Sequence, residues 1–167
     1  MKRIALAMVL ALLVCVASPM AVLAATTGTT TVTGEIPDTI AVAAPAGFAM
    51  GSLDPSASQP ITSAAKTVDV DANSAHTWNL KAHEAGPGDG KMASVATPTD
   101  VLGSAMVLNA AGGAGDVTLT GTAQNIYAAH AAGSADIATT FKQTVAYTDV
   151  VHTDYSITVT FTVEFTA

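Results

Sequence analysis

The chain holds one cysteine, Cys15, and one arginine, Arg3, in 167 residues. Each scarcity excludes something. A lone cysteine cannot close an internal disulfide, so the fold must hold by packing. Zinc sites built on several thiolates are excluded as well. The cations beyond Arg3 are Lys2, Lys66, Lys81, Lys91 and Lys142, and the formal charge is −7. An acidic, arginine-poor surface argues against nucleic acid, and against direct docking on anionic lipid or anionic wall polymer. The histidines His76, His83, His130 and His152 fall in no HExxH or cysteine–histidine pattern, so no metal is expected from them. No GxSxG elbow is present. The only glutamates are Glu35, Glu84 and Glu164, and Glu164 sits in a regular strand pattern. No catalytic group and no cofactor is expected.

The one long apolar run lies at the start. Lys2 and Arg3 precede Ile4 to Val16, Ser18 and Pro19 break the run, and Val22-Leu23-Ala24 puts small or branched residues at a cleavage site. This is the layout of a secretory signal peptide, with cleavage expected after Ala24. The run is short for a spanning helix of about 20 residues. Acylation of Cys15 would want a small residue at position 14, where Val14 stands. Cleavage removes Cys15 and Arg3, and leaves a chain more acidic by two charges. The expected organisation is therefore a signal peptide over residues 1–24, a Thr-rich leader or edge strand over 25–35, and one domain over 36–167.

The end of the chain sets the fold class. Tyr155, Ile157, Val159, Phe161, Val163 and Phe165 alternate with Ser156, Thr158, Thr160, Thr162 and Glu164. A period of two, carried by β-branched and aromatic residues, is that of a half-buried strand. Lys66 to Asp71 alternates in the same way, with Val68 and Val70 on one face. His76 to Glu84 carries Trp78, Leu80 and Ala82 opposite Thr77, Asn79, Lys81 and His83, with His76 expected to pack on the Trp78 face. Shorter strands are expected at Ile36 to Val42, Met106 to Leu108 and Val117 to Thr120. Ala123 to Ala138 reads as a long loop or short helix. Phe141 to Tyr147 reads as a strand with Tyr147 inward, forming a hairpin with the final strand. Turns at Pro45-Ala46-Gly47, Leu53-Asp54-Pro55 and Gly86 to Gly90 separate these pieces. The prediction is an all-β, two-layer antiparallel sandwich of about eight strands.

Asp69, Asp71 and Asn73 share one strand face and have the spacing that opens a calcium loop. Ser74 and Leu80 stand where that loop wants glycine and glutamate, so a solvated strand face is the expectation. His152, Asp149 and Asp154 are placed together in one loop, where polar residues belong in any case.

Trp78 is the only tryptophan, in Trp78-Asn79-Leu80. Trp-x-Leu in an Ala/Thr-rich β-chain resembles the first signature of the WxL cell-surface domain family. The family's second signature, Tyr-x-x-x-Leu-Thr-Trp-x-Leu, is similar to Tyr155-Ser156-Ile157-Thr158-Val159-Thr160-Phe161-Thr162-Val163. Tyr155 and Thr160 match, while Val159, Phe161 and Val163 are apolar replacements. The resemblance implies a secreted, non-catalytic domain attached non-covalently to the cell wall, with adhesion or ligand display. Its partner would be a cell-envelope polymer or a surface protein. Trp78, Leu80, Tyr155 and Phe161 are the candidate binding residues, expected to act mainly by organising the core, with ligand contacts on the loops Ala85 to Lys91 and Ala110 to Asp116. The second expectation is self-association into an extracellular fibre, with Thr26 to Ile36 adding a strand to the next subunit.

Overall fold

Alternation decides which side chains are hidden. Val68 and Val70, on the strand Lys66–Ala72, are fully buried between more exposed neighbours. Trp78, Leu80 and Ala82 are fully buried on the strand Trp78–Glu84. The computed structural model describes residues 30–86 and 88–166. The expected signal peptide lies outside the described residues. Two compact units divide the chain, residues 1–35 and residues 36–167.

All described strands belong to the second unit, and no described residue is helical. They are β1 (Ile40–Ala43), β2 (Ile61–Thr62), β3 (Lys66–Ala72), β4 (Trp78–Glu84), β5 (Ala93–Ser94) and β6 (Val107–Ala110). There follow β7 (Gly115–Thr118), β8 (Gln124–His130), β9 (Ala135–Gln143), β10 (Tyr155–Ser156) and β11 (Val159–Phe165). One sheet runs β1-β3-β9-β6-β7, with β2 beside β9. A second, smaller sheet runs β11-β4-β8, and β10 and β5 form a third of two short strands. Every pairing is antiparallel. The core lies between the first two sheets. Val68, Val70, Leu108, Ile137 and Phe141 come from the larger one, and Trp78, Leu80, Ala82 and Ile126 from the smaller.

The all-β, two-layer expectation holds, with more strands than the expected eight. Three of the additions, β2, β5 and β10, are two-residue pieces. The larger difference is at Ala123 to Ala138, which forms β8 and the start of β9 instead of a loop or helix. On β9 the inward residues are Ile137, Thr139, Phe141 and Gln143. Two of the four are polar, so the apolar period does not show in the sequence. Their donors are used: Gln143 Nε2 donates to Ser104 O at 2.9 Å and to Thr144 O at 2.8 Å, and Thr139 Oγ1 to Ile137 O, while the buried Gln143 Oε1 has no hydrogen-bond partner among the described residues.

Three further expectations are corrected. The final strand makes no hairpin with β9; it pairs with β4, and β9 is already flanked by β3 and β6. Tyr147 lies past the end of β9 and is 80% exposed. His76 is exposed and faces Asp38 at 3.3 Å, because the buried face begins two residues later, at Trp78 itself.

Leu80→Ala is expected to lower unfolding free energy by about 2–5 kcal/mol, since it empties a fully enclosed site. Thr162→Ala, on the exposed face of β11, is expected to change it by less than about 0.5 kcal/mol. Urea unfolding followed by Trp78 fluorescence measures both.

Candidate functional site: the open edge of the smaller sheet

β11 spans seven residues and pairs on one side only, with β4. β1 of the larger sheet comes near β11 but makes no ladder with it. The β11–β4 register runs from Val159↔Glu84 to Phe165↔Trp78. Ala85 N donates to Thr158 O at 2.9 Å and Thr166 N to Thr77 O at 2.9 Å. Antiparallel pairs alternate between bonded and non-bonded. The bonded set is therefore Thr158, Thr160, Thr162, Glu164 and Thr166. Glu84 N agrees, since it turns away from β11 and donates to Thr120 O at 3.0 Å. The N–H and C=O groups of Val159, Phe161, Val163 and Phe165 consequently point out of the sheet. Edges of this kind are ordinarily blunted by proline, a bulge or an inward charge. β11 has none of these; its one acidic residue, Glu164, pairs with Lys81 of β4 on the outer face.

The side chains repeat the asymmetry. Val159, Phe161, Val163 and Phe165 face the core, yet all four are only half-buried. On β4 their partners Trp78, Leu80, Ala82 and Glu84 are buried. A missing ladder neighbour on the open side accounts for the difference. The opposite edge of the same sheet is covered: the β6–β7 loop lies on β8, with Ala114 N donating to Ile126 O at 3.0 Å. A Cβ at Gly113 would sit 2.2 Å from Ile126 O, so glycine permits that approach.

Along the start of β11 runs an apolar cleft of about 490 Å³. One wall is Tyr155 to Val159 and Phe161. The other is a strand-free strap, residues 44–53, and Met92, Met106 and Phe141 form part of the floor. Phe48 stands edge-on to Phe141 at 5.0 Å, with Lys66 Nζ 4.7 Å from its ring centre. Half-buried Phe48, Met50 and Leu53 hold the strap to the core.

The four candidate residues separate into two pairs. Trp78 and Leu80 are fully enclosed. Trp78 stacks on His130 at 4.2 Å and donates from Nε1 to Gly133 O at 3.0 Å. Neither can touch an outside ligand while the sandwich is closed. Tyr155 and Phe161 line the cleft. The Tyr155 hydroxyl donates to Val150 O at 2.7 Å, and burial, then Asp100, Asp149 and Asp154, push its pKa upward.

The expected ligand loops are tied down. Buried Glu84 accepts from Gly88 N at 3.1 Å and Gly90 N at 2.9 Å. Gly90 has φ +86, and a Cβ there would lie 2.0 Å from Leu119 O. Around His152, Nε2 is 2.8 Å from Asp100 Oδ2, while Asp154 accepts from Ala96 N at 2.6 Å and Ser94 Oγ at 2.9 Å. The Ala96 amide chiefly holds Asp154 below the usual carboxylate range. Asp149 accepts from Gly103 N and Ala146 N. These carboxylates staple loops. Asn73 is similarly occupied, binding Thr39 N and Pro37 O, and no group of three or more possible metal ligands occurs among the described residues.

No protein-family profile and no curated protein sequence matches the chain. Among solved structures, the P pilus rod subunit PapA aligns at 13% identity with a TM-score of 0.40, over 84% of this chain and all of that one. So distant a likeness decides neither fold nor function.

Asp69 lies directly across from Asp136, and burial, then Asp71 and Asp136, raise its pKa. A raised carboxylate favours the protonated fold, so stability falls as pH rises through its titration range. Asp69→Asn is expected to raise the melting temperature at neutral pH. The gain should vanish below the ordinary aspartate range, as thermal melts across pH would show.

Proposed function

We propose that the chain is an exported, non-catalytic structural subunit that joins copies of itself by strand exchange. The leader segment Thr26 to Ile36 of one copy extends the smaller sheet of the next at β11. The single observation behind this reading is the unblunted edge of β11, with outward backbone groups and a half-covered apolar face above a cleft. An added strand satisfies the outward groups and covers that face in one step. The leader is fit for the task. Thr30 to Thr39 are exposed and form no strand, and Val32 and Ile36 are 89% and 85% exposed. The acidic surface keeps subunits soluble and directs association to an edge where backbone bonding is on offer.

The alternative, wall attachment in the manner of a WxL domain, draws on Trp78 and Leu80. Both are enclosed, as expected of residues that organise the core, while the loops expected to carry its ligand contacts are tied down by internal hydrogen bonds. The open edge of β11 gives strand exchange the stronger support.

The mature protein is expected to polymerise, and deletion of Thr26 to Gly34 to leave monomers. Val163→Pro removes an edge-facing N–H without touching the β4 ladder, and proline is tolerated at such positions. It is expected to keep the β-rich circular dichroism spectrum and to block polymers. Size exclusion and electron microscopy read out both. Wild-type protein that stays monomeric at all concentrations, or pellets as a monomer with purified cell wall, contradicts the proposal.

A further inference from the structure

Gly34 has no local reason to be glycine. Its backbone is outside the left-handed region, and a Cβ there would meet nothing within 4 Å. This is unlike Gly90 or Gly113, where neighbouring backbone leaves no room. A glycine in an extended segment often marks a place where another chain comes close. The flanking residues are informative. Val32, Gly34 and Ile36 fall on one face of an extended leader, with Thr31, Thr33 and Glu35 on the other. The apolar positions of β11 have the same spacing: Val159, Phe161, Val163. Phe161 is the bulky one, half-buried at the cleft.

We infer that the cleft beside β11 takes the leader of a second copy in one register, with Gly34 opposite Phe161 and Val32 and Ile36 opposite Val159 and Val163. This rests on the strand-exchange reading and adds the rule that fixes the partner segment. The Phe161 ring covers the bare backbone of Gly34, an aromatic–glycine cross-strand pair. The branched side chain opposite Val159 then completes the layer over Met92 and Met106 on the cleft floor, while the one opposite Val163 covers β11 beyond the cleft. A side chain at position 34 would meet the Phe161 ring. A shift by one residue would turn Val32 and Ile36 to water and Thr33 and Glu35 inward. The partner is thus a segment with apolar–x–Gly–x–apolar spacing, which residues 32–36 supply.

The test uses the full mature chain, with polymer yield measured by sedimentation and electron microscopy. Gly34→Leu alters an open position, so folding of the subunit is unaffected, and polymer yield should fall about tenfold or more. Combining it with Phe161→Ala, or with Phe161→Val should the alanine variant fail to fold, should restore polymers by returning the lost space. Polymers that require Thr26 to Gly34 but persist at wild-type level in Gly34→Leu would overturn this register and leave strand exchange standing. Failure of either folded double variant to regain polymers would overturn it too. Wild-type protein that never polymerises would overturn both.

Discussion

A strand bonded on one side only leaves half of its backbone looking for a partner. β11 is in that position, and much of the molecule is arranged around it. Its ladder to β4 fixes which residues face outward, and the alternation of side chains fixes that the same residues carry the apolar face. Geometry therefore couples two needs at Val159, Phe161, Val163 and Phe165: hydrogen-bond partners and apolar cover. Water meets the first need at the surface but not the second. One added strand meets both. At β8, the other edge of this sheet, the β6–β7 loop already provides cover.

The rest of the domain supplies rigidity without covalent staples. Packing between the sheets centres on Trp78, Leu80, Leu108 and Phe141. The loops are held by carboxylates that accept from backbone N–H groups: Glu84 for the Gly88–Gly90 turn, Asp149 for Gly103 and Ala146, Asp154 for Ala96. In a chain with so few cations, most acidic groups have no lysine to pair with, and amides take that role. The exceptions are Lys81 with Glu164, bridging the adjacent strands β4 and β11, and Lys142 with Asp116, reaching from β9 to β7 across β6. Asp149 and Asp154, which beside His152 look like chemistry in the sequence, are thereby used in holding shape.

Strands with apolar residues on one face and polar on the other are legible from residue order alone. β3, β4 and β11 fall into this group, and they set the all-β class. β8 and β9 are not legible, because Thr139 and Gln143 are buried and polar, and alanine occupies both inward and outward positions. Pairing partners are illegible for a different reason. A regular apolar face says that a strand is half-covered but not which strand lies beside it, so sequence proximity suggests a hairpin that β9 has no free side to make. The site is half legible. Phe161 and Tyr155 draw notice as motif residues and do line the cleft, but the strap at residues 44–53 reads only as turn punctuation. Its role comes from lying across from β11, a long-range fact that no local pattern carries.

Residue-resolved hydrogen exchange on β11, in the monomer and again in assembled material, tests the central claim most directly. In the monomer the amides of Thr160, Thr162 and Glu164 should be protected by β4, while those of Val159, Phe161, Val163 and Phe165 exchange quickly. On assembly the second set should become protected without change in the first. Uniform protection along β11 in the monomer, or outward amides that stay fast in assembled material, would contradict the account.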